Sequence, residues 1–171
     1  SYYGYLAADE LDLPYAMNHV RAPVSTEAQD NFRSLAGTQR AREWYLIDRP
    51  REARTEWKAV TKNLERSDLM QAAQVAQSWG WHEQAIITLA ASKYWSDLDI
   101  RHPLPWSGQV IRLATEFGIT PQDIWAITRS DSLFAREAYS YAWARGLMPL
   151  LPATARDVPR RSPIRHTASH A

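Results

Sequence analysis

The feature that most limits what this chain can become is an apolar stripe on a helical period. Ala53, Trp57, Val60 and Leu64 fall at i, i+4, i+7 and i+11, which places them on one side of a 3.6-residue helix and on both sides of a strand. The pattern recurs in Leu69, Ala72, Ala73 and Ala76, and again in Ala85, Ile86, Leu89 and Ala90. Ala41, Trp44 and Tyr45 share a face of a helix predicted to end near Asp48. Only 6 glycines occur, too few for a protein of tight hairpins, while 8 tryptophans supply large rings that need burial between elements.

Punctuation agrees with the stripes. Thr26-Glu27-Ala28-Gln29 has the form of a capping box and predicts a short helix to about Leu35, closed by Gly37. Pro50 suits the first turn of the next helix, Ser67 or Asp68 would cap another, and Gly80 would end it before a helix over 81–93. Residues 94–105 carry two prolines and no period, and read as a break. Helix returns over 108–117, with Val110, Ile111, Ala114 and Phe117 on one face and Gly118 as its stop. Thr120-Pro121-Gln122-Asp123 is a start signal for a helix running toward Arg129-Ser130-Asp131-Ser132. A polar loop and a further short helix over 146–158 complete the reading. Residues 1–11 read as the end of an earlier helix, 13–24 as a connector and 159–171 as a disordered tail. Short connections make successive helices antiparallel, so the expected fold is all-α, a superhelical, solenoid-like stack.

Bulk properties exclude several functions. With 20 basic against 19 acidic residues the net charge is +1, which gives no general electrostatic reason to bind nucleic acid or a membrane surface. The absence of Cys removes disulfides and thiolate chemistry. No apolar run approaches the roughly 20 residues of a membrane span. No signal peptide is visible, and Ser1 reads as a processed or excised end. His166 and His170 are four apart but lie in a polar tail, where the spacing is coincidental, and His82 and His102 have no partner at ligand spacing. No metal or cofactor is therefore expected. Arg160, Arg161 and Arg165 form a small basic run of the kind that is usually solvated.

Two stretches resemble one family. Ala126-Ile127-Thr128-Arg129-Ser130-Asp131-Ser132 is similar to the A-I-x-R-Q-E-S segment of soluble lytic transglycosylases. Fourteen residues on, 146–155 (GLMPLLPATA) resembles that family's G-L-M-Q-L-M-P-A-T-A, and 140–145 (SYAWAR) sits where the family has S-P-x-G-A-R. Glu56-Trp57, the Ala-rich helix, Gly80-Trp81 and the break over 95–105 look like the linker preceding its catalytic domain. The resemblance implies residues 1–24 as the end of a preceding helical region, 25–118 as a superhelical linker and 119–158 as the first part of a lysozyme-like catalytic domain.

The resemblance also implies a chemistry. Family members cleave the glycan strand of peptidoglycan between N-acetylmuramic acid and N-acetylglucosamine. The sugar's own hydroxyl attacks to give an anhydro product. One carboxyl group suffices if it first protonates the leaving oxygen and then accepts the proton of that hydroxyl. It needs a raised pKa, which an apolar pocket provides. Asp131 stands at the position of the family's Glu, with Ser140 and Met148 as candidate sugar contacts. Read without the motif, Asp131 is a helix-end carboxylate, Ser140 a loop serine and Met148 a packing residue. Trp143 replaces a Gly, Pro149 and Ser130 each replace a Gln, and the family's A-Y-N-A-G segment and later catalytic-site Tyr have no counterpart in the 171 residues. The expectation is a truncated or degenerate copy, weakly active or inactive, acting on peptidoglycan glycan strands in the periplasm. The rival expectation is a non-catalytic helical-repeat module that binds a protein or a glycan.

Overall fold

In the computed structural model, which describes residues 7–161, all regular structure is helical apart from two isolated bridges, Tyr139–Arg145 and Arg145–Leu150. Residues 7–10 are helical. The helices that follow are α1 (Thr26–Ser34), α2 (Ala36–Leu46), α3 (Pro50–Thr61), α4 (Arg66–Ser78), α5 (His82–Ala91), the single turn α6 (Leu98–Arg101), α7 (Ser107–Phe117), α8 (Pro121–Ser132) and α9 (Pro152–Arg161). The all-helical stack expected from the stripes is what forms. The main packed pairs are α2 with α3 and α4 with α5, and α1 lies on α4.

Trp57 lies at the centre of the core, 1% exposed. The edges of Phe32, Trp79 and Trp81 meet its ring at centroid distances of 5.4, 5.7 and 5.5 Å, and its indole N–H donates to Thr88 Oγ1 at 2.9 Å. A buried Trp needs such a partner, and α5 supplies it. Ala53, Ala72, Ala73, Ala76 and Ala85 are fully buried around it. These small side chains allow the helices to approach while the indoles fill the wedges.

The connector over 13–24 carries no helix, as expected, yet its last stretch is firmly held. Asp97 accepts from the Ala22 N–H at 2.8 Å, and the Gln71 and Gln74 amides donate to Pro23 O and Ala22 O at 2.7 and 2.9 Å. Extended backbone crossing a helical surface has no ladder of its own, so side chains satisfy it.

Several local expectations are corrected. The cap of α1 is Ser25, whose hydroxyl accepts from Ala28 N–H, so Thr26 is already helical. Gly37 does not close a helix; it sits inside α2, where an added Cβ would stand 2.4 Å from Val60 Cγ1, so its role is close approach to α3. The helix α4 begins at Arg66 behind Glu65, ahead of the Ser67 or Asp68 expected as its cap, and has no side-chain cap. Leu64 lies beyond the end of α3. The break over 94–105 contains α6, capped by Asp97. On α7, Val110 and Ala114 are buried but Ile111 and Phe117 are exposed. Helix does not start at Gly146: residues 146–149 are turns, and α9 begins at Pro152. It continues to Arg161, three residues into the expected tail, and the rest of that tail, with His166 and His170, lies outside the described residues. Pro50, Gly80, Gly118 and the Thr120 cap act as expected, with Thr120 Oγ1 accepting from Asp123 N–H at 3.2 Å.

Candidate functional site

Helix α8 carries the first motif and is fixed at three points. Near its middle the Trp125 indole donates to Pro105 O at 2.9 Å. One turn later the Arg129 Nε–H donates to Arg101 O at 2.6 Å, and burial, with Arg101 close by, holds the Arg129 pKa below its ordinary value. At its C-terminal end the Ser132 hydroxyl lies 2.6 Å from Leu147 O and 2.9 Å from Thr128 O, and accepts from Phe134 N–H at 3.2 Å. Leu147 belongs to the second motif. The two motifs, separate in sequence, therefore meet next to Asp131.

Leu133 and Phe134 follow with φ of 50° and 67°. Left-handed backbone at two successive bulky residues is costly, and it turns the chain sharply out of α8. The loop beyond is closed by Ser140 N–H to Ala144 O at 2.9 Å, Ala144 N–H to Ser140 Oγ at 3.1 Å and Gly146 N–H to Ala138 O at 3.0 Å.

Asp131 is exposed and lines an open groove of about 580 Å³. One side of the groove comes from Ser130, Asp131 and the 133–139 loop; the other comes from α3 and α5 through Arg51, Arg54 and Glu83. Among the described residues the Asp131 carboxylate has no hydrogen bond or ion pair, and the apolar enclosure that the resemblance implies around it is not formed. Ser140 lies outside this lining, with its hydroxyl committed to the loop. Met148 is 45% exposed in the turn after Gly146. Trp143 is exposed at φ 69°, its ring edge-on to Tyr139 at 5.7 Å.

Sequence reasoning missed the opposite wall. Arg54 reaches from α3 to Glu83 on α5, with Nε and Nη2 at 2.9 and 2.7 Å from one carboxylate oxygen, and also pairs with Glu137 in the loop after α8. Burial works against the guanidinium charge, but Glu83 and then Glu137 outweigh it and hold the Arg54 pKa above the ordinary arginine value. Glu83 and Glu137 lie 29 and 83 positions from Arg54, so no local pattern could signal the cluster. Among the described residues no group of His, Cys, Asp and Glu could hold a metal ion, and no helix is long and apolar enough to cross a membrane.

Known proteins are similar to this chain in sequence and fold. Residues 31–98 match the soluble lytic murein transglycosylase L domain, and residues 109–168 the transglycosylase SLT domain. A relative from Haemophilus influenzae is 30% identical over 157 residues, covering 91% of this chain and 26% of that protein. The soluble lytic murein transglycosylase of Salmonella typhimurium is 28% identical over 155 residues, 90% of this chain and 24% of that protein. Among solved structures, an inactive mutant of the lytic transglycosylase Slt from Pseudomonas aeruginosa superposes with a TM-score of 0.88 at 35% identity, over 98% of this chain and 27% of that one. The 70 kDa soluble lytic transglycosylase of Escherichia coli gives 0.90 at 24% identity over the same shares, a likeness of fold. The chain thus spans about a quarter of the length of the relatives it matches. With the L-domain match followed by the SLT match, and the two motifs in contact at the end of α8, the chain belongs to the soluble lytic murein transglycosylase family.

Proposed function

We infer that this chain is the part of a lytic transglycosylase that carries the proton-transfer carboxylate, with Asp131 in that role, and that its groove takes the glycan strand of peptidoglycan. Within the SLT match, which opens at residue 109, the catalytic part would begin at about residue 119, after the left-handed stop at Gly118. The observation that carries the reading is the Ser132–Leu147 contact, which brings the second motif against the helix end bearing Asp131. The carboxyl would protonate the oxygen leaving N-acetylmuramic acid and then take the proton of the attacking sugar hydroxyl, giving an anhydro-muramic end without consuming water. Met148, exposed in the turn of the second motif, would contact sugar; Ser140 would act by shaping the loop. A peptidoglycan substrate puts the protein in the periplasm.

Two features reduce turnover by residues 1–171. Asp is one methylene shorter than Glu, and a displacement of about 1 Å can lose roughly a hundredfold in rate. Asp131 is also exposed, whereas this chemistry asks for a pocket closed to water. The test is incubation of the chain with purified peptidoglycan and chromatography of the soluble products. We expect the chain to bind glycan strands and to release no anhydromuropeptides above background, for Asp131 and for Asp131→Glu alike. Release that Asp131→Asn abolishes would overturn the inactivity. Failure to bind glycan strands would overturn the assignment of the groove and favour a helical module with another partner.

A further inference from the structure

A second cleft, of about 800 Å³, opens beside the Asp131 groove. The two share Glu83, Ala135 and Glu137 as lining residues, so they are neighbours, and Glu137, common to both, pairs with Arg54 of the Asp131 groove. The walls of the second cleft are aromatic. Tyr45 stacks on Trp81 at 4.8 Å with an 18° tilt, and its hydroxyl donates to Gly80 O at 3.2 Å. Across from them, Trp106 and Phe134 lie edge to face at 6.3 Å, and the His82 ring touches both.

Trp106 and Phe134 share an unusual feature. Both adopt left-handed backbone, with φ of 54° and 67°, a conformation unfavourable for bulky side chains. They come from different segments, one before α7 and one after α8, yet both rings enter the same cleft. Around these rings stand Asp48, Arg136 and Glu137, with Arg136 5.7 Å over the Trp106 ring. Trp81 and Phe134 are buried behind the wall, and the part-exposed rings of Tyr45 and Trp106, rimmed by charged hydrogen-bonding groups, suit a ligand with apolar faces and a polar edge. An N-acetylhexosamine ring has that character.

We propose that this cleft is an extended glycan site contributed largely by the L domain, binding sugars of the same strand whose scissile bond lies at Asp131. The inference rests on the function proposed above and adds to it that L-domain residues read strand length. A strand leaving Asp131 passes the Arg54–Glu137 bridge and lays its next sugars against Trp106 and Tyr45.

The experiment measures the affinity of the 171-residue chain for peptide-free glycan strands of two and of eight sugars, prepared by amidase treatment and sized by chromatography. The longer strand should bind about tenfold more tightly. Trp106→Leu should collapse that ratio toward one. Because removing a packed indole can unsettle the fold, Leu46→Trp provides a second variant. Leu46 is exposed at the cleft wall, and the larger ring would block the cleft without emptying the core. It too should erase the preference for length. Equal affinity for both strands, or a length preference that survives Leu46→Trp in a folded protein, overturns the inference while leaving Asp131 in its groove. No binding of either strand overturns both readings.

Discussion

The L-domain helices over 31–98 and the SLT segment over 109–161 have similar apolar patterning in sequence, yet they bury it very differently. In the first, Trp57, Val75, Trp81 and Leu89 are buried among five or more closely packed alanines. In the second, the buried apolar residues among those described are Val110, Ala114, Phe134, Ala135 and Ala144, while Ile111, Phe117, Ile127, Trp143 and Leu150 are exposed. An apolar stripe shows which face can be buried, and only a partner element determines whether it is. The second region is tied by directional contacts to the residues before it: Trp125 to Pro105 and Arg129 to Arg101 in the stretch between the two regions, and Glu137 to Arg54 in the first. Such contacts fix position well and add little to stability.

If that contrast is right, the same substitution should behave oppositely in the two regions. Trp57→Ala removes a ring in contact with three aromatic neighbours and strands Thr88 Oγ1, so it should cost about 3–5 kcal/mol in urea unfolding. Trp143→Ala, at 65% exposure, should stay within about 0.5 kcal/mol. Comparable losses at the two sites would mean that the SLT segment has a core of its own.

A smaller effect tests how tightly the L domain is packed. Gly37→Ala places a methyl 2.4 Å from Val60 Cγ1, so α2 and α3 must separate or Val60 must leave its rotamer. Overpacking of this kind costs about 1–3 kcal/mol. Helix propensity alone favours Ala over Gly by about 1 kcal/mol, so a stabilised variant would show that the two helices yield easily. The thermal midpoint of the variant against the parent decides between them.

Local signals were readable in the sequence, and nonlocal ones were not. Pro50, the Thr120-Pro121 start and the stops at Gly80 and Gly118 depend on the backbone of their own turn, so residue type was enough. Gly37 resembles a stop in sequence, but its purpose is set by Val60, 23 positions away, and only packing reveals it. Ser25 and Thr26 are both good caps, and the choice fell to Ser25, whose backbone N–H donates to Gln71 across the fold. At the candidate site, a contiguous motif singles out Asp131 in the sequence. Arg54, Glu83 and Glu137 were not legible, because three elements bring them together.

The gentlest probe of the comparison is a proton. His82 opens α5 in the L domain, but its ring meets Trp106 and Phe134, which lie at the seam with the SLT segment, and burial there pushes its pKa below the ordinary value of about 6.5. The folded chain then binds fewer protons than the unfolded chain between the lowered value and about 6.5. Its contribution to stability is complete above that upper limit and is lost as pH falls through the window. His102, lowered by burial and by Arg129 and Arg101, acts in the same direction. The urea midpoint should therefore drop between pH 7.5 and pH 5, and His82→Gln should remove part of that drop and leave the His102 part. If the two regions were independent, the His82 ring would face water and the variant would keep the full slope. A slope unchanged by His82→Gln would therefore mean that the seam is open in solution, however well each side is folded.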